Sequence, residues 1–370
     1  MNADVLKNLT DPAVLFFFLG VFVGLIRSNL EIPKQVAKFL SLYLLMALGF
    51  KGGQALSSAG LSGDAVKVIG AALCLAVVIP AVAFLVLRRR INPFDAAAIA
   101  ATYGSVSAVT FITAQQFVAS RGDEAGGYLT VALVLMESPA IVMAVLLATW
   151  VRSQHSTPET ETSRLNSTVS PSGRPIEQLE VIPESDRPSG SAPDEDGHGH
   201  GHGHGHGPTP IREVLREAFT DGAQLLLIGS MVIGAISGKA GGEAMYPFVN
   251  GIFKGLLAFF LLEMGLLVAK QLREVRDVSP FLIGFGLVLP LVNAAVALTI
   301  GWGLDLSVGD MTLLAVLAAS GSYIVVPAVV RYAIPEASPS RYLTLALAVT
   351  FPLNMVIGIP LYYWIAGSIA

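Results

Sequence analysis

Tyr128-Leu129-Thr130-Val131-Ala132-Leu133 comes back as Tyr342-Leu343-Thr344-Leu345-Ala346-Leu347, and a proline follows each copy, at Pro139 and Pro352. Upstream, Ala101-Thr102-Tyr103-Gly104-Ser105 pairs with Ala318-Ala319-Ser320-Gly321-Ser322. Further out, Leu45-Met46-Ala47-Leu48-Gly49 pairs with Leu262-Glu263-Met264-Gly265, and the offset stays near 213–217 residues. A membrane chain that repeats itself in two halves has the architecture of a secondary transporter, with its site where the halves meet.

Composition supplies the membrane. Of 370 residues, 53% are apolar and only 14% charged, and mean hydropathy is +0.65. A soluble domain carries about 25% charged residues, so the long uncharged runs are expected to face the lipid bilayer. The net charge of −4 argues against a nucleic-acid partner. Cys74 stands alone, which rules out a disulfide within the chain and makes thiol catalysis a poor reading. The first residues show no basic segment or cleavage site of a secretory signal.

The runs read as ten spans, at approximately 13–27, 34–50, 66–87, 94–119 and 127–151, then 215–237, 245–269, 279–300, 310–333 and 341–367. The expected fold is an all-α polytopic membrane protein with ten transmembrane helices. Its first five-helix repeat is 1–152, its linker 153–210 and its second repeat 211–370. The first span is short for the ~20 residues that cross a bilayer. One set of short loops holds Arg27, Lys34, Lys38, Arg88, Arg89, Arg90, Lys270, Arg273, Arg276, Arg331 and Arg341; the other holds Lys7, Lys51, Lys67, Arg121 and Lys239. This asymmetry puts both termini outside and the central loop in the cytoplasm. An odd number of spans per half makes the repeat an inverted 5+5 one.

The linker holds Ser, Thr, Pro, Glu and Asp with almost no large apolar residue, the composition of a segment expected to stay disordered. Residues 211–219 alternate apolar and charged at helical spacing, as an interfacial helix would. Within the linker, His198, His200, His202, His204 and His206 alternate with glycine. Imidazoles on flexible spacers bind Zn²⁺, Ni²⁺ or Cu²⁺. The tract reads as a metal buffer or sensor, or, preferred here, as a low-complexity insertion that a surface loop tolerates.

Chemistry is expected in spans four and nine. Thr102-Tyr103-Gly104-Ser105-Val106-Ser107, with Thr110 and Thr113 beyond, interrupts the fourth; Ser320-Gly321-Ser322-Tyr323, followed by Pro327, interrupts the ninth. An unwound backbone at membrane depth must be satisfied by protein, water or solute. A half-helix that starts at such a break points free N–H groups and a positive dipole end into the gap, a setting for an anion. Gly and Ser also permit close helix packing. The occurrence of both breaks at corresponding places in the two repeats favours a binding site. Substrate candidates are Gly104, Ser105, Val106, Ser107, Gly321, Ser322 and Tyr323. Ion-coupling candidates are Thr102, Ser107, Thr110, Glu137, Ser320 and Ser322. Of the charges placed inside spans, Glu137 could reach the fourth-span break, while Lys254 and Glu263 are too far apart along one helix to pair. Asn293 and Asn354 read as cross-links between helices.

Tyr103-Gly104-Ser105-Val106-Ser107-Ala108-Val109-Thr110, Glu137-Ser138-Pro139-Ala140, Ala318-Ala319-Ser320-Gly321-Ser322 and Ile334-Pro335-Glu336-Ala337-Ser338-Pro339-Ser340-Arg341-Tyr342 resemble segments of the sodium-dependent bicarbonate transporter family (SbtA-type permeases). The resemblance spans nearly the whole chain. It implies a homotrimer whose subunits each carry a core of helices 3–5 and 8–10 and a gate of helices 1–2 and 6–7. The core would hold bicarbonate and Na⁺ at the facing breaks and move as an elevator. A PII-like cytoplasmic regulatory protein is also implied. The family's Asp after the ninth-span serines is Tyr323 here, and Val109, Val325, Val326 and Leu345-Ala346-Leu347 stand where the family has hydroxyls or Gly. Fewer oxygen ligands leave H⁺ beside Na⁺ as coupling ion.

The reading is therefore a secondary transporter of a small inorganic anion, bicarbonate foremost, in a bacterial inner membrane, with no cofactor. A transition-metal transporter or metal-gated channel built on the His tract is one alternative, and a non-transporting sensor that keeps the fold is another. An enzyme is not expected, since no Ser/His/Asp, HExxH or nucleotide-binding signature occurs.

Overall fold

The computed structural model describes residues 10–59, 63–155, 222–323 and 325–370, and every regular element among them is a helix. In chain order these are α1 Pro12–Leu25, α2 Lys34–Ala59, α3 Gly63–Leu87, α4 Pro93–Gly104, α5 Ala108–Ser120, α6 Tyr128–His155, α7 Gly222–Tyr246, α8 Phe253–Glu274, α9 Pro280–Gly303, α10 Val308–Ala319, α11 Val325–Ala333 and α12 Pro339–Ile369. Seven segments are long and apolar enough to cross a bilayer, one of which, Gly222–Glu274, contains both α7 and α8. α1 and α10 are shorter apolar helices. Most of the linker, with residues 211–219, lies outside the described residues.

Helix starts follow ordinary capping chemistry. Asp11 and Asn92 each accept the backbone N–H two residues on, at 2.9 Å, with Pro12 and Pro93 at the first helical position. Ser107 and Ser307 cap α5 and α10 through the N–H three residues on. π-type turns separate α7 from α8 (Pro247–Gly251) and recur inside α12 (Leu345–Thr350 and Asn354–Gly358). Thus the two prolines of the doubled segment differ in setting: Pro139 lies within continuous helix, Pro352 between two π-type turns.

The second span runs on to Ala59 rather than ending at residue 50. Lys51-Gly52-Gly53-Gln54 looks like a turn in sequence, but its glycines serve packing. A Cβ on Gly53 would come within 1.9 Å of the Met231 carbonyl oxygen. Lys51 remains in helix, with its ammonium 4.5 Å from the Phe253 ring centre.

α1 packs along α8, and α2 along α7. Each crossing is made at two glycines. Cβ atoms on Gly20 and Gly265 would meet the carbonyls of Leu262 and Phe17 at 2.1 and 2.2 Å; those on Gly49 and Gly234 would meet Leu227 and Phe50 at 2.5 and 2.2 Å. Small residues that let backbones touch are the general means of helix association in lipid, where no hydrophobic drive separates helix from solvent. α3 packs on α4 and α9 on α10. The interrupted span Pro93–Ser120 is the most enclosed: 94% of its apolar stretch is buried, against 39% for Pro280–Gly303. Large apolar side chains such as Phe22, Phe39, Phe259, Val288 and Ile236 are exposed on the outside, as lipid-facing residues are.

Candidate functional site

α4 stops at Gly104, and Ser105 (φ −103°, ψ 171°) and Ser107 (φ −88°, ψ 108°) are extended before α5 begins. α10 stops at Ala319, and Ser320 is extended in the same way (φ −96°, ψ 156°). The two interruptions touch and supply each other's missing partners. The Ser322 N–H donates to the Thr102 carbonyl at 2.9 Å, and the Ser107 N–H donates to Ser320 Oγ at 3.2 Å. Gly321 lies against Tyr103 and the Thr102 carbonyl. Two backbone N–H groups at the unwound segments are thereby satisfied across the crossing.

Around this crossing the polar side chains divide into two sets. One is structural. Thr102 bonds back to Ala98 O at 2.9 Å. The Tyr103 hydroxyl meets Thr350 Oγ1 at 2.6 Å, and Thr350 continues to the Gly286 carbonyl at 2.8 Å. Asn354 donates to the last carbonyl of α10, Ala319 O, at 2.8 Å, and accepts from Tyr362 at 2.9 Å, a cross-link as expected. The other set is buried without a hydrogen-bond partner: Ser105 Oγ, Thr110 Oγ1 and Glu263 Oε2. Asn293 Nδ2 of α9 is likewise buried without a partner, so the expected cross-link by that side chain is not made through this atom.

A cavity of about 760 Å³ opens beside the crossing. Its inner wall is Val106, Ser107, Ala108 and Val109 from the first break, and Ser322 and Tyr323 from the second. Its outer wall comes from α2, α7 and α8 through Lys38, Ser41, Gln224, Phe260, Glu263 and Met264. Glu137 of α6 also lines it, buried and hydrogen-bonded by the Gln224 amide. Of the residues expected at the site, Val106, Ser107, Glu137, Ser322 and Tyr323 reach this cavity. Gly104 packs instead on Pro80, where a Cβ would sit 2.7 Å from its Cγ. Thr102, Ser320 and Gly321 build the crossing behind it. The five histidines of the tract lie outside the described residues. Among the described residues no group of three or more His, Cys, Asp or Glu could hold a metal ion.

The first turn of α5 is the chemically distinctive part of the inner wall. Ser107 Oγ takes the Thr110 N–H at 3.2 Å. The N–H groups of Ala108 and Val109 have no intrahelical acceptor by construction, and both residues line the cavity. With a dipole end of about +0.5 charge behind them, they favour an anion. Sequence reasoning missed Gln224 and used Lys38 only for orientation. Neither stands out, because a single polar residue in a span does not reveal which neighbour it faces.

Among curated proteins no significant match is found. The family profile of the Na⁺-dependent bicarbonate transporter superfamily matches residues 12–367. With nearly the whole chain covered, this membrane protein belongs to the Na⁺-dependent bicarbonate transporter superfamily, a family of transporters and not of enzymes.

Proposed function

We infer that the chain is a secondary active transporter of a small inorganic anion, bicarbonate, coupled to Na⁺ or H⁺. The observation that carries this reading is the pair of crossed breaks forming one wall of a cavity whose other wall is a separate helical layer. The anion would lie against the first turn of α5, held by backbone N–H groups and the hydroxyls of Ser107 and Ser322. The cavity is larger than one such ion needs, which suits a site together with its access route.

The pairing of helices supports a ten-helix 5+5 inverted repeat: α1 on α8 and α2 on α7 exchange under the sequence repeat, as do α3 on α4 and α9 on α10. In this reading α1, α2, α7 and α8 form the gate, and α3–α6 with α9–α12 form the core that slides past it. A homotrimer, a PII-like regulator on the cytoplasmic side, and a bacterial inner membrane with both termini outside complete the proposal.

Labelled bicarbonate uptake into cells expressing the chain, with Na⁺ present and absent, tests it. The S107A variant removes the α5 cap and one wall hydroxyl. It is expected to weaken uptake affinity and, through the lost cap, to cost about 0.5–2 kcal/mol of stability. No uptake under any ion gradient sinks the transporter reading. Unchanged uptake in the variant removes Ser107 from the site.

A further inference from the structure

α3, the most apolar of the membrane-length segments, ends directly in Arg88-Arg89-Arg90. All three arginines are exposed, and none has a carboxylate partner among the described residues. The carboxylates of the neighbouring loop and helix are already engaged, Glu336 by Arg152 and Asp95 by Arg341. Rings on two other helices position the guanidiniums. Arg88 lies 4.8 Å from the ring centre of Trp150 in α6, and Arg90 5.8 Å from that of Phe281 in α9. Phe84 of α3 packs edge-on against Trp150, with centroids 5.5 Å apart, and fixes that ring from below. Under the arginines, Val78, Val82, Leu85 and Val86 are exposed at helical spacing along α3, and Leu146 is exposed on α6. The surface thus has a cationic head where the apolar helix ends, an aromatic collar and an apolar stem.

We propose that Arg88, Arg89 and Arg90 bind the headgroup phosphate of an anionic phospholipid whose acyl chains lie along the exposed face of α3. Guanidinium forks match phosphate oxygens two at a time, and basic clusters at the end of a span are where anionic headgroups gather. The charge of the site selects among lipids. Phosphatidylcholine carries a cation of its own, which the arginines repel, whereas phosphatidylglycerol presents the phosphate alone. A soluble anion would meet the same arginines but gain nothing from the apolar stem. Because Arg88 and Arg90 rest on rings of α6 and α9, a headgroup that they share ties together the ends of three helices. This site is separate from the cavity beside the breaks, and the inference is independent of what that cavity carries.

Trp150 makes the site observable. The other tryptophans, Trp302 and Trp364, are exposed, and W302F with W364F leaves Trp150 as the sole indole. The purified full chain with these two changes is placed in vesicles of phosphatidylcholine and phosphatidylglycerol, one or the other lipid brominated, and quenching of Trp150 reports which lipid lies beside it. Phosphatidylglycerol is expected to be preferred there by roughly 5-fold or more, the factor that one arginine near an anionic headgroup supplies. R88Q/R89Q/R90Q is expected to abolish the preference while both lipids still quench. R88K/R89K/R90K keeps the charge, and is expected to retain part of the preference and to show that the loss in the glutamine variant is not misfolding. Equal quenching by the two lipids in the parent chain overturns the proposal, as does a preference unchanged in the glutamine variant. So does inorganic phosphate that removes the preference when sodium chloride of equal ionic strength does not, since a soluble anion would then be the occupant.

Discussion

Two loops of this molecule do the same job with different chemistry. The loop at Ile334–Tyr342 is held by arginines. Arg341 pairs with Asp95 in the first turn of α4, which also accepts the Ser338 N–H at 2.8 Å. Arg152, near the end of α6, makes two bonds of 2.9 Å to Glu336. The loop at residues 121–128 occupies the corresponding place in the first half and is held by tyrosines. Tyr128 donates to Asp310 in the first turn of α10 at 2.6 Å, Asp310 also accepts the Gly126 N–H at 2.7 Å, and Tyr363 near the end of α12 donates to Asp123 at 2.5 Å. In both, the first helix of a broken span grips the loop that enters the other half's last helix. The scaffold is repeated, while its ionic character is not. The arginine-held loop belongs to the set of short loops richer in Lys and Arg. The tyrosines, amphipathic and neutral, fall in the opposite set.

Breaking the clamps one at a time tests whether they are equivalent. Asp310 is buried and satisfies two donors, each bond to a carboxylate being worth about 1.5–3 kcal/mol. D310A is therefore expected to cost about 3 kcal/mol or more, seen as a marked fall in the apparent thermal midpoint of the detergent-purified protein. D95A leaves behind Arg341, whose side chain is 44% exposed and can turn to water. Its expected cost is smaller, about 1–2 kcal/mol. Equal shifts would mean that the arginine clamp is as dry as the tyrosine one, and the distinction would fail.

The same comparison extends to the glycines of the breaks. A Cβ on Gly104 would strike the Pro80 ring, whereas one on Gly321 would meet nothing nearer than 3.5 Å. G104A is expected to destabilise by about 1–3 kcal/mol through overpacking, and G321A by no more than about 0.5 kcal/mol. Measuring thermal midpoint and bicarbonate uptake together sharpens the reading. A stable G321A that has lost uptake would show that the close approach of the two breaks at Gly321 serves transport rather than the fold.

Much of this was legible in the chain. The polar interruptions locate the breaks between α4 and α5 and after α10, because an unwound backbone in lipid is too costly to occur without cause. The reach of α2 was not legible. Gly52 and Gly53 carry the same letters whether they end a helix or let α7 approach, and only the partner helix decides. Nor was the place of Glu263 on the cavity wall. Sequence places it inside a span but not on a face, and the cavity it borders draws on helices more than two hundred residues apart. Asp95 and Asp310 stand in register between the repeats and could have been found by aligning the two halves. Gln224 had no counterpart to draw attention to it.

The smallest expected effect is at the rim of the arginine-held loop. Arg152 also donates to the Ala333 carbonyl at 2.7 Å, so the guanidinium stays anchored without Glu336. Both side chains are about a third exposed, 33% for Arg152 and 38% for Glu336, and water screens their attraction. E336Q is accordingly expected to cost less than about 1 kcal/mol. The pH dependence gives the sharper reading. The Arg152 bonds hold the Glu336 carboxyl below its ordinary value of 4.5. A group whose value is lower folded than unfolded stabilises the fold above its unfolded value and loses that contribution as pH falls through the lowered one. An acid titration of the thermal midpoint should therefore show a small loss below 4.5 that is missing in E336Q. The tyrosine clamp supplies the control. Y363F removes one bond to Asp123 and leaves the Arg152–Glu336 pair as it is, so its acid titration should keep the step that E336Q lacks. If both variants lose the step, the acid sensitivity of the two loops has a common source, and the ionic difference between them is not what sets it.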